Sequence, residues 1–199
     1  MKKEYTYIDL FSGPGGLCTG FISEGFVPRI AVEWSDTTVE TYAKSHNAEI
    51  YQLKDLLENL GHLEDVLKKN KRTCLIHGDI NKVSNEMVRE ILKKKFGEDS
   101  VDVVTGGAPC ESFSMAGKRL EVDDRNDLFS NILRIAHAVQ AKFTLFENVP
   151  GLLTKKRDGK KGGQVEYVFE EFERVNPETG VFYRLASKDV SDFKCLAAD

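Results

Sequence analysis

The chain has 199 residues, of which 41% are hydrophobic and 30% are charged. This composition is typical of a globular protein with one domain, or with one domain and an insert. The formal net charge of −4 argues against a generally basic surface, so any nucleic-acid contact has to come from a local basic patch. No apolar stretch approaches membrane length, and the four cysteines lie far apart, with no histidine at metal-ligand spacing. We therefore expect a cytoplasmic protein without a metal site or a membrane contact.

Short apolar runs alternate with amphipathic stretches along the chain. Strands are predicted over residues 5–10, 27–33, 73–76, 101–104, 143–147 and 181–190. Helices are predicted between them, over residues 17–24, 36–45, 84–96, 127–140 and 164–174. Alternation of this kind predicts an α/β fold with a doubly wound, mainly parallel sheet.

Three local features refine this organisation. Asp36 and Ser84 are predicted N-caps, because a short polar side chain can accept a hydrogen bond from the first helical turn. Leucines at three- and four-residue spacing predict one or two amphipathic helices over residues 51–71, broken at Gly61. We interpret 51–72 as a helical insert that covers the sheet, with a partner-binding surface as the weaker alternative. Residues 155–163 are rich in lysine and glycine and are predicted to form a mobile loop.

The strand predicted at 101–104 leads into Gly106-Gly107-Ala108-Pro109-Cys110. In open α/β sheets, ligands bind in the crevice at the carboxyl ends of the strands. The two glycines allow a close backbone approach or a positive φ, and Pro109 stiffens the backbone before the cysteine. A single cysteine is more often a small buried hydrophobe, but this context favours Cys110 as a nucleophile.

The first predicted strand ends in Asp9-Leu10-Phe11-Ser12-Gly13-Pro14-Gly15-Gly16. Glycines at this position let a ligand approach a helix N-terminus, where amide donors favour negative charge. Glu33 ends the second strand, where such folds place a carboxylate for ribose hydroxyls, and the neighbouring Trp34 can stack on an adenine. Each feature alone has another explanation: the glycines can form a simple turn, Glu33 can be a surface carboxylate, and Trp34 can be packed in the core. Their joint spacing favours a ligand.

Two more carboxylates are predicted at the same edge of the sheet. Asp79 follows the strand at 73–76, and helix capping is its alternative role. Glu147 ends the strand at 143–147, which places it beside Cys110 if the two strands are neighbours. Against an apolar wall, Glu147 can hold a proton and deliver it; a surface salt bridge is the alternative.

These motifs resemble, in the same order, those of the cytosine-C5 DNA methyltransferases. The resemblance covers residues 5 to about 151. Its most specific parts are Pro109-Cys110-Glu111-Ser112-Phe113-Ser114 and the downstream Glu147-Asn148-Val149, with Arg125-Asn126-Asp127-Leu128-Phe129 between them. The stretch 114–119 is more similar to the bacterial DNA-modifying branch, which belongs to restriction–modification, than to the tRNA-modifying branch.

The resemblance implies a Rossmann-like methyltransferase fold, S-adenosyl-L-methionine as cofactor and double-stranded DNA as substrate. Cys110 would attack C6 of a flipped-out cytosine, Glu147 would bind N3, and Asn148 would help to hold that region. The residues implied in cofactor binding are Phe11, Ser12, Gly13, Gly15, Gly16, Leu17, Glu33, Trp34, Asp79, Ile80, Pro109 and Leu128. Candidate DNA contacts are Ser114, Lys118 and Arg119, and solvated surface charge accounts equally well for the last two.

The sequence also departs from the family pattern. The family carries a Gln-x-Arg segment, a target-recognition domain and a final helix that completes the cofactor pocket, and this sequence contains no Gln-x-Arg. We therefore expect residues 1–199 to be a catalytic, cofactor-binding domain that is incomplete at its C-terminus and has no target-recognition domain. The chain would then be part of a longer enzyme, or one subunit of a split enzyme that is inactive on DNA without its second chain.

Three alternatives remain open: a non-catalytic cofactor-binding or regulatory subunit, a tRNA cytosine-C5 methyltransferase, and a different α/β enzyme such as a hydrolase. The intact Pro109-Cys110 and Glu147 argue against a non-catalytic relative. A hydrolase needs a histidine beside Cys110, and of the four histidines only His77 follows a strand in a suitable way.

Overall fold

The computed structural model describes residues 4–108 and 128–184. The strands in these ranges are β1 (Tyr5–Leu10), β2 (Phe26–Glu33), β3 (Ala48–Gln52), β4 (Thr73–His77), β5 (Val103–Gly106), β6 (Phe143–Phe146), β7 (Lys156–Arg157) and β8 (Lys160–Lys161). The first six form one parallel sheet in the order β3-β4-β2-β1-β5-β6. β7 and β8 form a separate antiparallel pair.

The helices in the same ranges are α1 (Gly16–Ser23), α2 (Asp36–Ser45), α3 (Leu53–Glu58), α4 (Leu63–Val66), α5 (Asn85–Ile91), α6 (Ser130–Ala138) and α7 (Gly163–Glu173). Short 3-10 segments occur at Leu60–His62, Ile80–Lys82 and Pro150–Thr154. A π-helical turn at Leu92–Phe96 continues α5.

Helices cover both faces of the sheet, as the alternating sides of β1 illustrate. Tyr7 packs on one face with Cys18 of α1 and Tyr42 of α2. Ile8 and Leu10 point to the other face, where they join a larger cluster that includes residues of α5 and α6. All three β1 side chains are fully buried, and full burial of each aliphatic side chain contributes roughly 1.5–3 kcal/mol. The predicted doubly wound, mainly parallel sheet is therefore confirmed.

Most predicted elements occur close to their predicted bounds. β1 and α2 match the predictions, and β2, β4 and α7 begin or end one residue away. The N-cap prediction holds for Ser84, whose hydroxyl accepts a hydrogen bond from the Met87 N–H at 3.0 Å. It is wrong for Asp36, because Ser35 is the capping position and Asp36 lies in the first turn.

Three further expectations need correction. The interval 51–72 is not purely helical, because Tyr51 and Gln52 end β3, an edge strand paired with β4. Residues 155–163 contain the β7–β8 hairpin instead of a plain loop. The strand predicted at 181–190 is not seen at residues 181–184, and residues 185–190 lie outside the described part.

Neither a membrane-spanning helix nor a metal-binding cluster occurs in the described residues. No helix in those ranges is long and apolar enough to cross a bilayer. Likewise, the described part of the chain holds no group of three or more His, Cys, Asp or Glu side chains suited to a metal ion.

Candidate cofactor and catalytic site

The carboxyl ends of four neighbouring strands bring the predicted site residues to one edge of the sheet. The order β2-β1-β5-β6 places Glu33, the turn after Leu10, Gly107 and Glu147 side by side along this edge. Adjacent strands lie about 4.8 Å apart, so these four positions span about 14 Å along the edge, or three strand spacings.

The turn after β1 has an unusual backbone. Phe11 adopts φ 55°, and Gly13 and Gly15 have φ 54° and 96°. A positive φ is uncommon for a bulky residue and is found disproportionately at functional sites. A Cβ at Gly15 would lie 2.0 Å from Nε2 of His46, so only glycine fits there. Gly16 and Leu17 open α1 directly behind this turn.

The Glu33 carboxylate links this turn to β2 through a hydrogen bond. Its Oε2 accepts a hydrogen bond from the Gly13 N–H at 2.7 Å, and its Oε1 accepts from the Trp34 and Ser35 N–H groups at 3.0 and 2.9 Å. The side chain is buried. Since each carboxylate oxygen has two lone-pair sites, Oε2 keeps one for a ligand hydroxyl. Sequence reasoning placed Glu33 correctly at the edge but missed its contact with the turn.

Asp9 and Ser12 carry buried polar atoms that lack partners. Asp9 Oδ2 and Ser12 Oγ have no hydrogen-bond partner within the described residues, and Asp9 is only 1% exposed. Burial raises the pKa of Asp9 to about 7, and the neighbouring charge of Glu33 adds to the shift. Buried orphan oxygens of this kind are uncommon, and a polar ligand above the turn would be one way to satisfy them. Asp9 was not predicted as a site residue, although a carboxylate within a buried strand is itself a signal.

Trp34 and His77 lie at the carboxyl ends of β2 and β4. The Trp34 side chain is 75% exposed, so its ring is accessible for stacking. His77 Nε2 lies 3.2 Å from the Trp34 carbonyl oxygen and 3.1 Å from Asp36 Oδ1. Strands β2 and β1 separate β4 from β5, so His77 lies about 14 Å, or three strand spacings, from the strand that leads to Cys110. This placement removes the support for a cysteine–histidine hydrolase.

Asp79 takes the capping role considered for it, and its role in ligand binding stays a prediction. Its Oδ1 caps the segment Ile80–Lys82 by accepting a hydrogen bond from the Asn81 N–H at 2.9 Å. The side chain is half-buried, and the second carboxylate oxygen retains its lone pairs for a ligand amino group.

Arg134 of α6 joins this turn to the chain beside Leu128. Its guanidinium donates to the Ile80 carbonyl at 2.8 Å, to Asn85 Oδ1 at 2.8 Å and to Asn131 Oδ1 at 2.9 Å. Asn131 in turn donates to the Leu128 carbonyl at 3.3 Å. Arg134 was not identified from the sequence. Its network positions Ile80 and Leu128, two predicted cofactor residues, relative to each other.

Glu147 and Asn148 sit directly against the backbone that leads to Cys110. β5 and β6 are paired, as predicted, and Asn148 Nδ2 donates to the Ala108 carbonyl at 3.3 Å. A Cβ at Gly107 would lie 2.9 Å from Glu147 Oε2. The glycine therefore permits a close approach, not a positive φ. Among the described residues, the expected apolar wall around Glu147 is not found, because Glu147 is exposed.

Five predicted site residues lie outside the described part of the chain: Pro109, Cys110, Ser114, Lys118 and Arg119.

The parallel sheet with helices on both faces is the fold of an α/β methyltransferase, and comparison with known proteins identifies the family. The family model for the C-5 cytosine-specific DNA methylases matches residues 5–61 and 56–178. The chain therefore belongs to the C-5 cytosine-specific DNA methylase family.

Individual relatives agree with this assignment. The type II methyltransferase M1.HphI of Haemophilus parahaemolyticus is 36% identical over 173 residues, which cover 85% of this chain and 38% of the relative. The type II methyltransferase M.AquIA of Picosynechococcus is 31% identical over 185 residues, covering 92% of this chain and 62% of the relative. A crystal structure described as a DNA modification methyltransferase encoded within a prophage (E. coli) aligns with a TM-score of 0.59 at 26% identity, covering 84% of this chain and 37% of that one. The chain thus spans less than two thirds of the length of these relatives.

Proposed function

We propose that this chain supplies the catalytic, cofactor-binding region of an enzyme that methylates C5 of cytosine in double-stranded DNA. One observation carries the proposal. Glu147 and Asn148, at the end of β6, lie against Gly107 and Ala108, which lead from β5 to Cys110. A carboxylate and a thiol delivered from adjacent strands are the two groups that C5 chemistry requires, since C5 becomes nucleophilic only after addition at C6.

The turn after β1 suits S-adenosyl-L-methionine. The orphan oxygens of Ser12 and Asp9, the spare lone pair of Glu33 and the exposed ring of Trp34 offer polar and stacking contacts along one edge. In this arrangement Glu33 binds ribose hydroxyls, Trp34 stacks on the adenine and Asp79 accepts from its amino group. The remaining proposed cofactor contacts are Phe11, Ser12, Gly13, Gly15, Gly16, Leu17, Ile80, Pro109 and Leu128. When bound, the cofactor supplies a methyl group on a sulfonium, which is a strong electrophile.

At the cytosine base, Cys110 adds to C6 and is later eliminated. The Cys110 thiolate forms a bond to C6 while the C5–C6 double bond opens toward C5, and Glu147 hydrogen-bonds or protonates N3 where negative charge develops. Asn148 holds the carbonyl of Ala108 in place. After C5 accepts the methyl group, the C5 proton passes to water, its electron pair re-forms the C5–C6 double bond, and the C6–S bond breaks to release the thiolate of Cys110, while any proton on N3 returns to Glu147. The cytosine must leave the duplex to reach these groups.

DNA recognition is assigned to sequence beyond the matched region. The relatives contain a further 38 to 62% of their length that this chain does not match, and we infer that it holds the Gln-x-Arg segment and the target-recognition domain, in the same polypeptide or in a second chain. Residues 1–199 then form one catalytic domain, with Ser114, Lys118 and Arg119 as DNA contacts. We expect the isolated chain to show no methylation of DNA, as measured by transfer of a labelled methyl group.

The proposal is tested by trapping the covalent intermediate. A chimera that joins residues 1–178 to the remaining sequence of M1.HphI is incubated with cofactor and a duplex containing 5-fluorocytosine, which blocks loss of the C5 substituent. Mass spectrometry should find a DNA adduct on Cys110, and Cys110→Ser should abolish it. A chimera that binds cofactor by calorimetry yet forms no adduct contradicts the proposal in favour of a non-catalytic subunit. An adduct with tRNA alone would indicate the RNA-modifying alternative.

A further inference from the structure

A basic hairpin follows the candidate site and has no role in the chemistry above. The sequence Lys156-Arg157-Asp158-Gly159-Lys160-Lys161 carries four cations and one carboxylate in a chain whose net charge is −4. Asp158 and Gly159 have φ 52° and 77°. Positive φ at both central residues is the pattern of a type I′ turn, which suits a two-residue hairpin. The basic residues are therefore presented on an ordered element.

One face of this hairpin is turned toward α7. Arg157 lies over the ring of Tyr167, 3.6 Å from its centroid, and donates to Gln164 Oε1 at 3.2 Å. Lys160, the cross-strand partner of Arg157, donates to the carboxylate of Glu166. The basic side chains on this face therefore have local partners and serve to anchor the hairpin.

The other face carries two like charges. Lys156 and Lys161 are directly opposite each other in the β7–β8 register, so their Cβ atoms lie about 4.5–5.5 Å apart on one face. Both side chains are exposed, and neither forms an ion pair within the part of the chain that the structure describes. Like charges in this position destabilise a strand pair. A negatively charged ligand between the two ammonium groups would remove that repulsion.

The chain between Glu147 and the hairpin limits how far apart the two can lie. Lys156 is nine residues beyond Glu147, and five of the intervening residues form the 3-10 segment Pro150–Thr154. The nine Cα–Cα steps comprise five at about 2.0 Å for this segment and four at about 3.4 Å, so the chain reaches at most about 24 Å. This is less than one turn of B-DNA, about 34 Å. A duplex whose cytosine lies at Glu147 therefore has phosphates within reach of the hairpin.

We propose that Lys156 and Lys161 form a phosphate-binding face that holds the DNA backbone beside the catalytic edge. This inference rests on the proposed function, because that function places DNA at Glu147. The face reads no sequence, since ammonium groups that contact phosphates carry no base information. It supplies the local basic patch that a chain of negative net charge needs in order to approach DNA.

The test measures the salt dependence of DNA binding by the 199-residue chain. Fluorescence anisotropy of a labelled duplex of about 20 base pairs is recorded at several NaCl concentrations across roughly 50–200 mM, the range over which phosphate contacts are strongly screened. For Lys156→Gln/Lys161→Gln, we expect the slope of log K against log[NaCl] to become shallower by about 1.8, because each phosphate that a lysine neutralises contributes about 0.9. Affinity at the middle of this range should fall by tens of fold.

The matched control is Lys69→Gln/Lys71→Gln, which removes two exposed lysines next to the amino end of β4, on the opposite edge of the sheet. Its net charge equals that of the hairpin variant, so a general effect of charge would appear in both. The slope of the control should equal that of wild type.

Each other outcome overturns the inference. Equal slopes for wild type and the hairpin variant mean that the lysines do not bind phosphate. If that variant also self-associates, the lysines protect the hairpin edges from strand addition. If it loses binding to polyglutamate but keeps its DNA slope, the partner is an acidic protein. Cofactor calorimetry on the same variants, and the Cys110 adduct measured with the same substitutions in the chimera, report on the proposed function separately, because neither readout is the slope.

Discussion

The two halves of the candidate site are held in different ways. On the cofactor side, the turn after β1 is fastened by a buried carboxylate, with Glu33 accepting from Gly13 at 2.7 Å, and by the Ser12 N–H, which donates to the Val32 carbonyl at 3.1 Å. On the catalytic side, the described hydrogen bonds to the backbone before Cys110 join neutral groups: Asn148 donates to Ala108 at 3.3 Å, and the Glu147 N–H donates to the Gly106 carbonyl at 3.1 Å.

This difference suggests that the two halves of the site have separate functions. Charge-assisted hydrogen bonds are roughly twice as strong as neutral ones, so we expect the proposed cofactor side to be ordered before a ligand binds. Glu147 is exposed while Glu33 is buried, and an exposed carboxylate can adjust to a base that has left the duplex. We therefore expect changes on the cofactor side to alter affinity, and changes on the catalytic side to alter rate.

The largest effect is expected for Glu147→Gln. The amide cannot supply a proton to N3, so the rate of adduct formation on Cys110 in the chimera should fall by about 10²–10⁴, the usual contribution of a positioned acid. Cofactor affinity should stay within about twofold, since the residue lies on the catalytic side. Glu173→Gln on the exposed end of α7 is the control and should leave both unchanged. A loss of cofactor affinity as large as the loss of rate would show that the two halves of the site do not have separate functions.

The second effect concerns Asp9 and depends on pH. Its pKa is about 7 in the folded protein against an ordinary value of 3.8, because of burial and the charge of Glu33. Between these values the unfolded chain ionises while the folded carboxyl keeps its proton, so the free energy of unfolding falls by about 1.4 kcal/mol per pH unit. This fall is complete above about pH 7.

Asp9→Asn removes this ionisation. The variant should therefore gain stability relative to wild type as the pH rises from about 4 to about 7, reaching a difference of about 4 kcal/mol at about pH 8. Urea unfolding at about pH 5 and about pH 8 covers most of this range, and the difference between variant and wild type should grow by about 2.6 kcal/mol between these two pH values. Tyr7, Cys18 and Tyr42 also face Asp9, but burial raises the pKa of all three, so they stay neutral in this range. A constant difference at the two pH values would mean that Asp9 is ionised in the fold. Asp55→Asn on exposed α3 is the control.

A smaller effect is expected for Glu33→Gln. The amide oxygen can replace one carboxylate oxygen, but the NH₂ group faces N–H donors and cannot accept from them. With at least one charge-assisted hydrogen bond removed, at about 1.5–3 kcal/mol, cofactor affinity should fall about 10- to 100-fold in titration calorimetry. Glu40→Gln on the surface of α2 should bind normally. Normal binding by Glu33→Gln would show that the tether to Gly13 is not needed.

The smallest effect is expected for Trp34→Ala. Because the side chain is 75% exposed, its removal should leave the thermal unfolding temperature nearly unchanged. Loss of stacking on the adenine should lower cofactor affinity by about tenfold, or roughly 1.4 kcal/mol. Trp34→Phe should recover most of it. A large drop in unfolding temperature would instead assign Trp34 a packing role.

Short-range patterns were sufficient to predict most of the elements. β1, β2 and α2 could be predicted because their apolar residues recur with the period of a strand or a helix. The two consecutive glycines before Cys110 indicated a close backbone approach, because few other structural roles require two glycines in succession. The β7–β8 hairpin was missed even though Asp158-Gly159 is a strong hairpin signal, because the surrounding lysines resemble a solvated loop. β3 was not predicted, because the helical leucine spacing that follows it led us to begin a helix at Tyr51, inside the strand.

The sequence by itself determined the family motifs, the alternation of strands and helices, and the set of residues at the carboxyl ends of the strands. Only the tertiary structure decided which of these residues touch. Strand order and register bring three pairs of residues together: Glu33 with Gly13, Glu147 with Gly107, and Arg134 with Ile80. These partners are separated by 20 to 54 positions along the chain. Periodicity reports only on neighbours within a turn or a strand, so it carries no record of such contacts.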